Sequence, residues 1–342
     1  MNRNRDAALS YDDVLLVPRY SDIKTRSEID IGTTLRNGVN LSLPIISSPM
    51  DTVSESAMAT AMNNAGGIAI IHRYNTIEEQ VAQIKETKGS MVGAAVGITG
   101  DYAERTSALL ESGTNVICLD VAHGHHVLMK EALLHLRTTF GNDLHIMAGN
   151  VATLDGINDL ASWGADSVRC NIGGGSICST RLQTGHGMPG LQTIIECAKT
   201  EKNISIIADG GIRNSGDIVK ALAAGADAVM VGSLLAGTHE TPGVSFKDRS
   251  GSTWKSYRGM ASKDAQMEWR GKYSSLEGVT ARVPYRGPVA GILAELDRGI
   301  RSGFSYSGAR NIKELWAKAE FIVQTSAGMS ESSTHISERT WK

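Results

Sequence analysis

Short apolar, β-branched runs recur along this chain, and each ends at or near Gly, Asp, Asn or Ser. They are Leu43–Ser47, Gly67–His72, Val92–Val96, Val116–Val121, His145–Val151, Ser167–Ile172, Ser205–Asp209 and Ala228–Ser233. Runs of this length, bounded by turn residues, read as buried strands. Segments with helical period lie between them: Ser54–Asn63, Thr76–Lys88, Asp101–Ser112, Leu128–Thr138, Leu154–Trp163, Leu191–Thr200 and Gly216–Ala224. Thr76–Lys88 opens Thr-Ile-Glu-Glu, a capping-box pattern. Eight strands alternating with helices predict an α/β fold, a closed parallel (β/α)8 TIM barrel.

Two places break the rhythm. The connection after the sixth strand is long and holds Cys178. After the eighth strand a polar segment runs from Thr238 to about Arg286, before helix-like Val289–Ile300. Long connections inside a compact domain are usually functional. Both leave the C-terminal face of the barrel, where such enzymes place their sites. The second is read as a lid: its length, polarity and glycines (Gly243, Gly251, Gly259, Gly271, Gly278) suit closure over a ligand. The tail from Thr325 is polar and Ser-rich, and is read as mobile or docked on a neighbour. Residues 1–342 are read as one barrel domain.

Composition narrows the partners. The 34 basic and 36 acidic residues nearly cancel, which argues against nucleic acid or a membrane surface as partner. Four cysteines form no Cys-x-x-Cys pair, a reduced, cytoplasmic pattern rather than a disulfide framework. Cys118 and Cys197 lie in apolar strand-like and helix-like runs and read as packing residues. Met1–Asp6 is not followed by an apolar stretch of signal-peptide length, and no segment approaches the ~20 apolar residues of a membrane helix.

The candidate chemistry centres on Gly173-Gly174-Gly175-Ser176-Ile177-Cys178-Ser179-Thr180-Arg181. Glycines let the backbone approach a ligand closely, and the amides around Ser176 suit an anion. A thiol at such a turn is placed for nucleophilic attack, although the stretch alone also reads as a Gly-rich connector. The ends of the seventh and eighth strands, Asp209-Gly210-Gly211 and Gly232-Ser233, suit a phosphate at a barrel mouth. Asp209 suits ribose hydroxyls, or a helix cap. Leu119–His126 carries three histidines. It reads as a loop lining the nucleotide pocket, with Asp120 at the strand end, rather than as a tetrahedral metal set.

Several motifs together resemble the IMP dehydrogenase/GMP reductase family. They are Leu9–Pro18, Ser48–Val53, Met147–Val151, the cysteine turn, Ala208–Arg213 and Tyr257-Arg258-Gly259-Met260, and the match runs from Ala7 to about Gly328. The resemblance implies that Cys178 attacks C2 of a bound purine nucleotide. It implies that Ser176, Asp209, Gly211, Gly232, Ser233, Tyr257, Gly259 and Met260 hold that nucleotide. Asp120, Asn150 and Arg169 would line the nicotinamide region. It further implies a homotetramer, and potassium or another monovalent cation held by backbone carbonyls of Gly173, Gly175 and Cys178.

The family has two branches. The dehydrogenase oxidises IMP with NAD and water to XMP. The reductase converts GMP to IMP and ammonia with NADPH. The dehydrogenase resemblance would require an Arg-Tyr pair on a long flap to activate water. Here the flap reads Trp269–Val279: Tyr273 stands four residues before Glu277, and Lys272 takes the place of arginine, whose planar fork it lacks. Only Arg73–Met91 joins the second and third strands, leaving no room there for the regulatory CBS pair usual in dehydrogenases. The reductase resemblance makes Thr180 and Glu277 the acid/base pair beside Cys178. Other features resemble the dehydrogenase: Ile70-Ile71-His72, Thr325–Ser332, Arg169, and Ser274 where reductases carry arginine. Asn171 and Gly174 depart from both branches, which carry Gly and Pro. GMP reductase is the expected activity, with IMP dehydrogenase as the alternative. A flavin-dependent barrel oxidoreductase and a catalytically silent nucleotide-binding barrel are further readings; intact Cys178, Thr180 and Glu277 weigh against them.

Overall fold

The computed structural model describes residues 7–89 and 91–332. The segment Met1–Asp6 and the tail beyond Ser332 lie outside the described residues.

Each apolar run becomes a strand of one closed barrel. The strands are β1 Ile45–Ser47, β2 Ile68–Ile71, β3 Gly93–Val96, β4 Val116–Asp120, β5 His145–Val151, β6 Ser167–Cys170, β7 Ser205–Asp209 and β8 Ala228–Val231. All neighbours pair in parallel, and Val229 opposite Ile45 closes β8 onto β1. Side chains alternate by strand geometry. In β2, Ile68 and Ile70 join Met147, Ile207 and Met230 inside the barrel, while Ala69 and Ile71 join the layer under the helices.

The outer ring is α1 Ser56–Ala65, α2 Ile77–Glu86, α3 Tyr102–Glu111, α4 Val127–Phe140, α5 Leu154–Trp163, α6 Gly190–Cys197, α7 Ser215–Ala223 and α8 Val289–Tyr306. The capping box of α2 forms: Glu79 N donates to Thr76 Oγ1 at 3.1 Å, and Thr76 N donates to Glu79 at 2.8 Å. Helix α8 runs past the expected Ile300 because Leu296, Ile300 and Phe304 keep one buried stripe. The connection β2–α2–β3 holds no inserted domain.

The two barrel ends differ. At the N-terminal end a hairpin, Thr33–Leu35 with Val39–Leu41, plugs the interior. Arg36 N donates to Ser205 Oγ there at 3.0 Å. Near that end Asp227 accepts from Ile206 N at 2.7 Å, and burial pushes its carboxyl up to about 6. The C-terminal end stays open for loops.

The long connection after β8 is more ordered than its polar sequence suggests. It folds as an antiparallel sheet, β9 Phe246–Lys247, β10 Thr253–Arg258 and β11 Thr280–Pro284, plus a flap helix Lys263–Arg270. The start of the tail is also ordered: Ser326–Glu331 is helical, and Gln324 Nε2 donates to Asp12 O at 2.7 Å. That part therefore contacts the chain's own N-terminal segment. Among the described residues no helix is long and apolar enough to cross a membrane.

Candidate active site

The strand ends and the flap enclose a cavity of about 450 Å³. Its first end is built from β7 and β8. Gly210 and Gly211 follow β7 with φ of 80° and 75°, a left-handed backbone that glycine adopts without penalty. A Cβ on Gly232 would stand 3.0 Å from Met50 Sδ and 3.1 Å from Tyr257 Oη, so the backbone itself forms the wall. Ser176 Oγ and Tyr257 Oη lie 3.5 Å apart beside it. Burial raises the Tyr257 phenol; the Ser176 hydrogen bond opposes this and Asp209 adds to it. Tyr257 therefore stays a neutral donor. Gly211, Ser233, Gly259 and Met260 border the same space.

The middle is an ion network. Asp209 Oδ2 accepts from Arg169 Nε at 3.0 Å, Arg169 Nη2 at 2.8 Å and Asn150 Nδ2 at 2.8 Å. All three bonds fall on Oδ2; no protein donor among the described residues reaches Oδ1. Arg169 also donates through Nη1 to Asp120. Burial works against both charges. It would raise Asp120, but Arg169 and Arg73 hold that carboxyl below its ordinary value. It would lower Arg169, but Asp209 and Asp120 hold it well above. Arg169 thus ties Asp120 to Asp209, and its own nitrogens are engaged with carboxylates. Asn150 uses its amide hydrogens on Asp209 and on Asn171 O, at 3.0 Å. Its Oδ1 takes no protein donor among the described residues.

The far end holds the thiol. Cys118, Cys170 and Cys197 are buried, whereas Cys178 is partly exposed in the cavity. Burial pushes the Cys118 thiol up to about 12 even beside Arg169. Cys178 Sγ donates to Thr180 Oγ1 at 3.2 Å, and Thr180 Oγ1 donates to Glu277 Oε2 at 2.7 Å. A hydroxyl has one proton, so donation to the carboxylate leaves its lone pairs facing the thiol. Sequence distance is bridged by backbone bonds: Ser179 N donates to Glu277 O at 2.9 Å, and Val279 N to Ile177 O at 3.0 Å. Tyr273 lies outside this arrangement. It is 49% exposed, with the Lys263 ammonium 5.2 Å above its ring, and neither it nor Lys272 borders the cavity.

The histidine loop divides. Asp120, Val121 and Ala122 line the cavity, but the three histidines do not. His125 pairs with Asp159 at 2.8 Å, and His126 Nδ1 caps α4 by accepting from Leu128 N at 3.1 Å. The expectation that this loop lines the pocket therefore holds only for its first residues. The sequence reading also passed over Arg73 and Tyr74, at the cavity rim just past β2. Tyr74 stacks on Trp269 of the flap helix with centroids 4.2 Å apart, and Arg73 lies 5.9 Å from the Trp269 ring. Their signal was available: they directly follow a barrel strand, the position where such folds put functional side chains.

Comparison with known proteins places this geometry. The family model described as IMP dehydrogenase / GMP reductase domain matches residues 8–335. The chain is 37% identical to an inosine-5'-monophosphate dehydrogenase of Cryptosporidium parvum, over 97% of this chain and 96% of that one. It is 30% identical to a GMP reductase of Leishmania major, over 96% of each. Among solved structures it is similar to a GMP reductase of Trypanosoma brucei, a cysteine-to-alanine variant in complex with guanosine 5'-monophosphate. That match has a TM-score of 0.93 at 30% identity and covers 98% of this chain and 99% of that one.

Proposed function

Because the chain belongs to the IMP dehydrogenase/GMP reductase family, an oxidoreductase family, we propose that it is a GMP reductase. On this reading it converts GMP to IMP and ammonia at Cys178. The observation that carries the reading is the chain of hydrogen bonds from Cys178 through Thr180 to Glu277. It supplies a base for the thiol and an acid for a leaving amine in one place. Lys272, standing where the dehydrogenase resemblance would want arginine, and Tyr273 border no part of the cavity.

The residues then divide the work. Gly211, Gly232, Ser233, Ser176 and Tyr257 hold the phosphate, and Asp209 Oδ1 accepts from the ribose. The Cys178 proton passes through Thr180 to Glu277 as sulfur bonds to C2 of the purine. Glu277 returns that proton to the 2-amino group, which leaves as ammonia while sulfur stays bound. NADPH, when bound, would supply the hydride to C2; the C2–S bond then breaks, IMP leaves, and the Cys178 thiolate regains its proton. The cavity fits a nicotinamide carboxamide through Asp120 and the unengaged Asn150 Oδ1, with Arg169 fixing Asp120. The cysteine turn also fits a monovalent cation such as K⁺. The Gly175 carbonyl accepts from Cys178 N at 3.1 Å, while those of Gly173 and Cys178 accept no backbone N–H among the described residues. A cation there would brace the turn. The same reading carries a homotetramer in the cytoplasm.

The dehydrogenase reading draws on the greater identity to a dehydrogenase, 37% against 30%. The lack of a domain between β2 and β3 does not decide between the two. The alignment with the Leishmania reductase spans 476 residues and that with the Cryptosporidium dehydrogenase only 391, so a long extra stretch also occurs in a reductase. Absorbance at the reduced-nicotinamide band decides it. GMP with NADPH should lose absorbance and yield ammonia. Robust XMP formation from IMP with NAD, with no reaction of GMP, would overturn the assignment.

A further inference from the structure

Asn171 opens the cysteine turn, and its side chain is buried at 4% exposure. Its backbone is held from both sides: its N–H donates to Val151 O at 2.9 Å, and its carbonyl accepts from Asn150 Nδ2 at 3.0 Å. The side chain therefore has a fixed origin. It crosses under the turn, and Nδ2 donates to Gly210 O at 3.3 Å, on the loop after β7. Oδ1 is buried with no partner. A buried amide oxygen without a protein partner calls for a reason beyond the side chain's own hydrogen bonds.

Gly174 shows what that is. Its backbone is not left-handed, so its φ gives no reason for glycine. The reason is steric: a Cβ there would stand 2.1 Å from Asn171 Nδ2 and 2.8 Å from both Cγ and Oδ1. The amide occupies the volume that a side chain at 174 would fill. The same amide nitrogen lies 3.3 Å from a Cβ placed on Gly190. Thus Asn171 and Gly174, three positions apart in the turn, share one space.

We propose that Asn171 is a positioning residue that sets the height of the Cys178 turn over the phosphate loop, and that Gly174 is the space it requires. The link runs from Val151 at the end of β5, through Asn171, to Gly210, and so joins the turn carrying the nucleophile to the loop assigned to phosphate. The identity of the substrate rests on the GMP reductase reading; the positioning of the thiol does not.

The test is a double-mutant cycle of Asn171→Gly, Gly174→Ala and the pair together. Two readouts are taken: steady-state kinetics, and the rate at which iodoacetamide alkylates Cys178. Each single variant is expected to lower kcat by about tenfold or more, because small misplacements of reacting groups carry large penalties. KM should move by less. Alkylation of Cys178 should change in each single variant. In the pair Gly174→Ala should cost nothing further, both readouts staying within about threefold of Asn171→Gly alone, the signature of coupled neighbours rather than independent sites. If Gly174→Ala alone fails to fold, recovery of soluble, alkylatable protein in the pair is the same result. Effects in the pair equal to the product of the singles would overturn the shared-space claim. Singles that lower Tm yet leave kcat and alkylation unchanged would overturn the positioning role. Alkylation needs no substrate, so an enzyme inactive on both GMP and IMP would refute the functional reading while leaving this inference open to test.

Discussion

The two ends of the cavity are built in different ways. The end we assign to phosphate comes largely from the barrel: glycines at the ends of β7 and β8, walled by Met50 and capped by Tyr257. The cysteine end is finished by the flap, which brings Glu277 to Thr180 at 2.7 Å across 97 positions of sequence. The first end is fixed by strand register and by glycines with no room for a Cβ. The second depends on a few backbone bonds between the cysteine turn and Glu277–Val279. Binding and chemistry are thereby assigned to parts with different freedom to move. On the proposed reading, a flap that opens for exchange of ligands carries the proton relay while the barrel keeps the end assigned to phosphate.

This contrast is open to separate attacks. Cys178→Ala should abolish turnover, with kcat reduced by at least about 10⁴-fold as for other covalent nucleophiles, while GMP binding measured by calorimetry persists. Substantial residual activity would remove the covalent step. Gly232→Ala attacks the other end. Its Cβ would press on Met50 Sδ and Tyr257 Oη, an overpacking penalty of about 1–3 kcal/mol. That should appear mainly as a raised KM; a kcat effect with unchanged KM would place Gly232 in the chemistry instead.

The flap should show its freedom in amide exchange. The Ser179 and Val279 amides join turn to flap. Their exchange should slow on the order of tenfold when GMP binds, equal to a rise of about 1.4 kcal/mol in opening free energy. Equal exchange with and without nucleotide would show the flap to be a static wall.

The smallest effect on activity is expected far from both ends. Asp227 is half-buried, with a backbone amide as its hydrogen-bond partner and a carboxyl pushed up to about 6 from 3.8 by desolvation. Between those values the native state binds more protons than the unfolded one, so stability falls as pH rises through that window. Asp227→Asn should remove the fall and stabilise the protein by up to about 3 kcal/mol at pH 7, with kcat unchanged. A denaturation series at pH 4 and pH 7 that finds the same increment at both would refute the assignment.

The barrel was legible because its strands are buried on both sides and read as continuous apolar runs. All eight strands fell within the ranges read from sequence, and every outer helix overlapped its range, though most run past it at one end or both. The glycine-rich ends of β7 and β8 were legible for a related reason: a backbone wall excludes side chains, and that leaves a mark in sequence. The flap was not, beyond its being polar and long. Its β10 strand and flap helix are half-exposed and amphipathic over a few residues, too short a stretch for periodicity to show. Pairs that meet through it, such as Tyr74 with Trp269, carry no spacing signal. Asn171 was visible only as an exception; its contact with Gly174 needed coordinates. Arg169 lines the cavity, and its tie to both Asp120 and Asp209 depends on three strands meeting at one height.

The central claim is that the flap supplies the acid to a nucleotide held by the barrel. Single-turnover ammonia release from GMP, compared between the parent enzyme and Glu277→Gln, tests it most directly. Glutamine keeps the shape of the side chain but cannot carry the proton. Release should slow by about 10²–10⁴-fold, the usual range for a general acid, while the dissociation constant for GMP stays within a factor of about two. Normal ammonia release with a large loss of GMP affinity would contradict the account, and would move Glu277 from the chemistry to recognition of the base.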